Sequence, residues 1–131
     1  MAICDGVRAS KIEAEVFHLK GVRQGLMAPA FPFTPARLWL FLVLSSPRAG
    51  EFPCYVRVVH DRTDRTIFYS YINPRPTFAA GDELYTASAP IRCCFPEEGR
   101  YTVQVCFFQE VGHDVLKGEV PFSVVGEGSN P

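Results

Sequence analysis

Arg100-Tyr101-Thr102-Val103-Gln104-Val105-Cys106-Phe107-Phe108 sets Tyr101, Val103, Val105 and Phe107 against Thr102, Gln104 and Cys106. Successive side chains of an extended chain leave opposite faces, so this two-residue period predicts a strand with one face in a core. Downstream, Gln109 to Asp114 reads as a turn. Val115 to Val125 then reads as a returning strand, with Leu116, Gly118, Val120, Phe122 and Val124 facing one way. Upstream, Pro96-Glu97-Glu98-Gly99 marks the turn that feeds the first strand.

The same period recurs toward the N-terminus. Arg37 to Ser45 is apolar on both faces, as expected of a central strand or of one whose second face meets a partner. Phe52 to His60 places Cys54, Val56 and Val58 on one side and Tyr55, Arg57 and Val59 on the other. Asp61 to Arg65 is turn material, and Thr66 to Ile72 is the returning arm of a hairpin. Lys11 to Leu19 alternates Ile12, Ala14 and Val16 against Lys11, Glu13 and Glu15, which predicts a further strand, and Glu83 to Ala89 a weaker one. Residues 20–36 hold Pro29, Pro32 and Pro35 and are expected to run extended, with Phe31 and Phe33 tucked onto the body. Pro74 and Pro76 stiffen the loop over Asn73 to Asp82. No 11-residue stretch carries a helical period.

The chain has 131 residues, 47% of them hydrophobic and 21% charged, with a net charge of −1. One core is the expectation for a chain near ~150 residues, and this length buries enough surface to fold without staples. We assign residues 1–125 to a single domain and 126–131 to a flexible polar tail. The near-neutral balance argues against a nucleic-acid binder, which needs a basic stripe. Leu38 to Leu44, the longest apolar run, is far short of the ~18 residues that cross a membrane. The start Met1-Ala2-Ile3-Cys4-Asp5-Gly6-Val7-Arg8 lacks a basic segment leading into an apolar one, and five cysteines are an odd number. Both features set the expectation of reduced thiols and a cytoplasmic location.

About seven short strands separated by turn signals imply an all-β chain, a two-sheet antiparallel sandwich, with a closed β-barrel as the alternative. The segment Pro96 to Val105 resembles the penultimate strand of immunoglobulin-like sandwiches. There a tyrosine near a glycine turn bonds its hydroxyl back to the corner backbone. The resemblance gives Tyr101 that corner role. Val103 stands where an antibody domain carries its second bridging cysteine, so no disulfide follows. Trp39 lies on a strand where such a fold uses a core tryptophan. The chain also resembles a bacterial family of small uncharacterised cytoplasmic proteins through Cys4, Asp5, Val7, Lys11, Phe31, Pro32, Gly99, Tyr101, Val103, Val105, Phe122 and Val124. That likeness implies a fold and no activity.

Reactive constellations are sparse. Cys93-Cys94 is the most unusual pair, and it reads as one thiol in the core and the next in solvent. A vicinal disulfide acting as a redox switch is its sharper alternative. Cys54, Cys93, Cys94, Cys106, His18, His60 and His113 never show zinc-ligand spacing. His60 and His113 are expected to be solvated. The run Asp61 to Thr66 lacks the acidic ligands and glycine of a calcium loop. Glu97-Glu98 sits in a turn, with no apolar pocket to separate the two carboxyl pKa values. Phosphate-binding glycine loops and a nucleophile elbow are absent. The sequence thus predicts no enzyme, no cofactor and no metal.

Surface aromatics remain. Tyr55, Arg57 and Val59 share a face with Tyr69 and Tyr71 on the hairpin's second arm, a composition typical of protein interfaces. The expectation is a non-catalytic interaction or assembly module that binds a protein partner or itself, with no nucleic acid and no membrane. Its alternatives are a carbohydrate-binding sandwich, since tyrosine rings stack on sugars, and a small cysteine-dependent enzyme using Cys93, Cys94 or a histidine.

Overall fold

Alternating apolar and polar residues, punctuated by proline and glycine, form strands and no helix in the residues described. The computed structural model describes residues 1–13, 16–46, 48–81, 83–108 and 114–127. Twelve strands lie within them: β1 (Ala2–Cys4), β2 (Gly6–Ala9), β3 (Phe17–Lys20), β4 (Gly25–Ala28), β5 (Trp39–Ser45), β6 (Gly50–Glu51), β7 (Cys54–His60), β8 (Arg65–Tyr71), β9 (Thr77–Phe78), β10 (Leu84–Pro90), β11 (Gly99–Phe107) and β12 (Val115–Gly126). The chain is therefore all-β. Six of the seven expected strands are present as long strands; the seventh is reduced to the four residues of β3, one of six short strands of two to four residues, too brief to show a period.

Two sheets carry the structure. One has the order β1-β5-β10 and the other β4-β12-β11-β7-β8, with β2-β3 and β6-β9 as small ribbons. The sheets do not close into a barrel, so that alternative falls. Pairing is not antiparallel throughout, either: β4 runs parallel to β12, with Leu26 opposite Val124. Gly25 makes this possible, because a Cβ there would lie 2.4 Å from the Ser123 carbonyl oxygen.

Leu40, Leu42 and Leu44 of β5 meet Val56 and Val58 of β7 and Val103 and Val105 of β11 in one cluster. These side chains leave water almost completely, each worth roughly 1.5–3 kcal/mol of transfer free energy. The other face of β5 is covered only in part. Phe41 packs on Phe17 of β3 at 5.4 Å between ring centroids, while Val43 stays 48% exposed. In its sheet β5 is the central strand, between β1 and β10. Trp39 is not a core tryptophan. It is half-buried at the start of β5 and stands apart from the cluster.

Three local expectations are corrected. Lys11–Glu13 is a bend and the strand starts only at Phe17. Ser10 Oγ accepts the amides of Ile12 and Glu13 at 3.2 and 3.1 Å, diverting them from a ladder. Ile12 is left 94% exposed. In β12, Leu116 does not share a face with Val120, Phe122 and Val124. A register shift at Val105/Cys106 puts it opposite Cys106, on the outer face. At the C-terminal end β12 runs through Gly126, and the Glu127 amide donates to the Ala28 carbonyl at 2.8 Å. The turn expected over 109–114, apart from Asp114, and the tail beyond 127 lie outside the described residues, as does His113.

Candidate functional site

The outer face of the five-stranded sheet is built in rows that cross its strands. Register places Leu116, Cys106, Tyr55 and Tyr71 side by side, then Glu119, Gln104, Arg57 and Tyr69, then Pro121, Thr102, Val59 and Thr66. All five residues of the candidate interaction face therefore come together on β7 and β8. They are not equally open. Tyr55 is only 3% exposed, whereas Tyr69 and Tyr71 are 48% and 50% exposed. Arg57 and Val59 are half-buried.

Tyr55 is the foundation of the patch. Its ring stacks on Tyr69 at 4.7 Å and meets Tyr71 edge-on at 6.3 Å. Tyr69 and Tyr71 stand perpendicular to each other at 5.5 Å. The Tyr55 hydroxyl donates to Asp114 Oδ2 at 2.5 Å. Burial, the hydrogen bond to Asp114 and the neighbouring Cys106 all push the Tyr55 phenol well above its ordinary value. Desolvation, with the adjoining Tyr71, moves Tyr69 upward too. Both phenols are thus neutral donors across the physiological range.

Beside the rings runs a polar ladder. Arg57 Nε donates to Gln104 Oε1 at 2.6 Å, and Gln104 Nε2 donates to Glu119 Oε2 at 2.9 Å. It ties three strands and anchors Arg57, whose cross-strand neighbour on β8 is Tyr69. Past the end of β8, a groove of about 600 Å³ lies between Tyr71, Arg75, Pro53 and Phe108. Leu116, 49% exposed, widens the apolar surface on the opposite side of Tyr55. Alternation hid this residue, because a single-residue bulge inverts the face it belongs to.

Tyr101 sits at the opposite, inner face of β11. Its hydroxyl donates to the Glu97 carbonyl at 2.5 Å, and its ring packs on Phe95 and His60 at 5.0 and 4.9 Å. Contrary to expectation His60 is buried, only 4% exposed. Its Nδ1 lies 2.9 Å from Thr63 Oγ1 and its Nε2 3.1 Å from Glu97 Oε1. Arg62 grips the same Glu97 oxygen through Nε and Nη2. Gly99, at φ 148°, turns the chain beside this imidazole. The cluster locks a corner.

Of the thiols, Cys106 belongs to the tyrosine row, directly opposite Tyr55. All five are free, and Cys94 alone is exposed. Burial drives Cys54 and Cys93 up to about 12, and Cys4 upward as well. An activated nucleophile needs the reverse shift. Among the described residues no three His, Cys, Asp or Glu side chains gather as a metal site. In comparison with known proteins, no family model, no curated protein and no solved structure matches this chain.

Proposed function

We propose that the chain is a non-catalytic protein-interaction module, an immunoglobulin-like sandwich that presents the outer face of β7 and β8 to another polypeptide. Strand order supports the fold assignment. β12, β11, β7 and β8 adjoin as the last, penultimate, third and following strands of such a domain do, and β5 pairs with β10 in the other sheet. The Tyr101 hydroxyl bond to Glu97, four residues upstream, fits the corner of that family. A cytoplasmic setting agrees with the free thiols.

One observation carries the functional reading. Tyr69 and Tyr71 are half-exposed, yet each is held in place against the buried Tyr55, itself bonded to Asp114. Rings fixed before contact lose little freedom on binding, which is why tyrosine and arginine dominate interface energetics. A carbohydrate platform draws less support, since stacking on sugars favours open rings in one plane and here the two exposed rings stand at 90°. A cysteine-dependent enzyme draws less still, with the Cys54 and Cys93 thiols pushed away from ionisation.

The test is site-specific photocrosslinking in extract of the cells that make the protein. A benzophenone side chain replacing Tyr69 is expected to form adducts with another polypeptide, and the same group replacing Val43 on the other sheet is not. Equal adducts from both positions, or none from either, would overturn the reading.

A further inference from the structure

We infer that the open edge of β8 pairs with β8 of a second copy, joining two five-stranded sheets into one; this rests on the reading of the tyrosine face as an interaction surface. β8 is the last strand of its sheet, and among the described residues it forms a ladder with β7 alone. The Ile72 amide donates to the Cys54 carbonyl at 2.8 Å, so in an antiparallel ladder Ser70 and Phe68 also direct their backbone groups into β7. Tyr69 and Tyr71, between them, aim their amides and carbonyls at the empty side.

The edge lacks the usual protection. Proteins keep edges from pairing with lysine, proline, short length or bulges. Arg65-Thr66-Ile67-Phe68-Tyr69-Ser70-Tyr71 has no proline, no glycine and one charge, and is rich in residues that favour strands. Its only irregularity falls at the Val58/Val59 step, which leaves Phe68 to Tyr71 regular. The remaining edges are poorer candidates. β1 and β4 have three and four residues, and β10 carries Ala87-Ser88-Ala89-Pro90.

Charge and symmetry select a second copy over a foreign strand. Antiparallel pairing of two identical strands over the regular stretch sets Tyr69 opposite Tyr71 of the copy, two aromatic pairs on one face, and the sole charge, Arg65, lies beyond the irregularity and outside the paired residues. A two-fold contact is closed, so growth stops at two.

The experiment uses purified full-length protein. Sedimentation equilibrium from low micromolar to near-millimolar concentration is expected to show a monomer–dimer equilibrium. Amide exchange followed by NMR over the same range is expected to slow at Tyr69 and Tyr71 as concentration rises, while Phe68 and Ser70, already bonded to β7, do not change. Tyr69→Pro removes one outward amide and is expected to weaken association by roughly tenfold or more. A monomer at every concentration overturns the inference; adducts from position 69 with another polypeptide would then leave the interaction reading standing. A dimer whose concentration-dependent protection appears on β10, or spares Tyr69 and Tyr71, overturns it equally. Exchange in the native sequence decides the matter even if the proline variant does not fold.

Discussion

Tyr101 shows how one hydroxyl governs a corner. It is wholly buried and donates to the Glu97 carbonyl, whose side chain holds Arg62 and His60. Tyr101→Phe keeps the ring packing but removes the donor from the part-buried Glu97 carbonyl. It is expected to cost about 1–3 kcal/mol, measured by urea denaturation. The thiols respond to pH in a definite direction. Burial raises Cys54 and Cys93 from the ordinary 9.0 to about 12. The native state therefore keeps protons that the unfolded chain releases. Stability is complete below pH 9 and drains away as pH climbs from there toward about 12. Cys54→Ala with Cys93→Ala is expected to flatten that alkaline decline in thermal melts. In native protein at neutral pH, iodoacetamide is expected to label Cys94 while the four buried thiols resist, as peptide mass analysis would read.

Strands differ in what they tolerate, and the difference follows from which face is buried. Leu42 of β5 is fully enclosed between the sheets, whereas its neighbour Val43 is half open. Leu42→Ala is expected to destabilise by about 2–5 kcal/mol and Val43→Ser by less than about 1, compared by chemical denaturation. β4 depends on a close approach. Gly25→Ala would press a methyl group onto the Ser123 carbonyl and is expected to release β4 from β12. Faster amide exchange over Leu26 to Ala28, with β11 still protected, is the signature to seek. The six long strands, β5, β7, β8, β10, β11 and β12, were readable from alternation, because each is long enough for a period of two to repeat. Lys11–Glu13 misled for a physical reason. Alternation there was real, but Ser10 captured the amides first.

The assembled sheet decides what the face of β7 and β8 presents. Tyr55 and Tyr71 meet Cys106 and Leu116 across four strands, and the polar ladder from Arg57 to Glu119 braces the next row. Tyr69→Ser with Tyr71→Ser is expected to leave the melting temperature within a few degrees, since both rings are half in solvent. Adducts from a benzophenone placed at Leu116, on the same face, are expected to fall at least severalfold. Unchanged adducts would move the interaction elsewhere on the protein.

Local pattern alone was enough for an all-β chain, its long strands, the shared face of Tyr55, Arg57, Val59, Tyr69 and Tyr71, and the split of Cys93 from Cys94. Each is a consequence of neighbours along the chain, with side chains alternating by twos. Contacts between distant segments settled the rest. The parallel seat of β4 on β12, the burial of Tyr55 beneath its fellows, the enclosure of His60 and the inversion of Leu116 come from residues brought together across strands. Periodicity records which side of a strand a residue occupies, and carries no information on what will later cover that side.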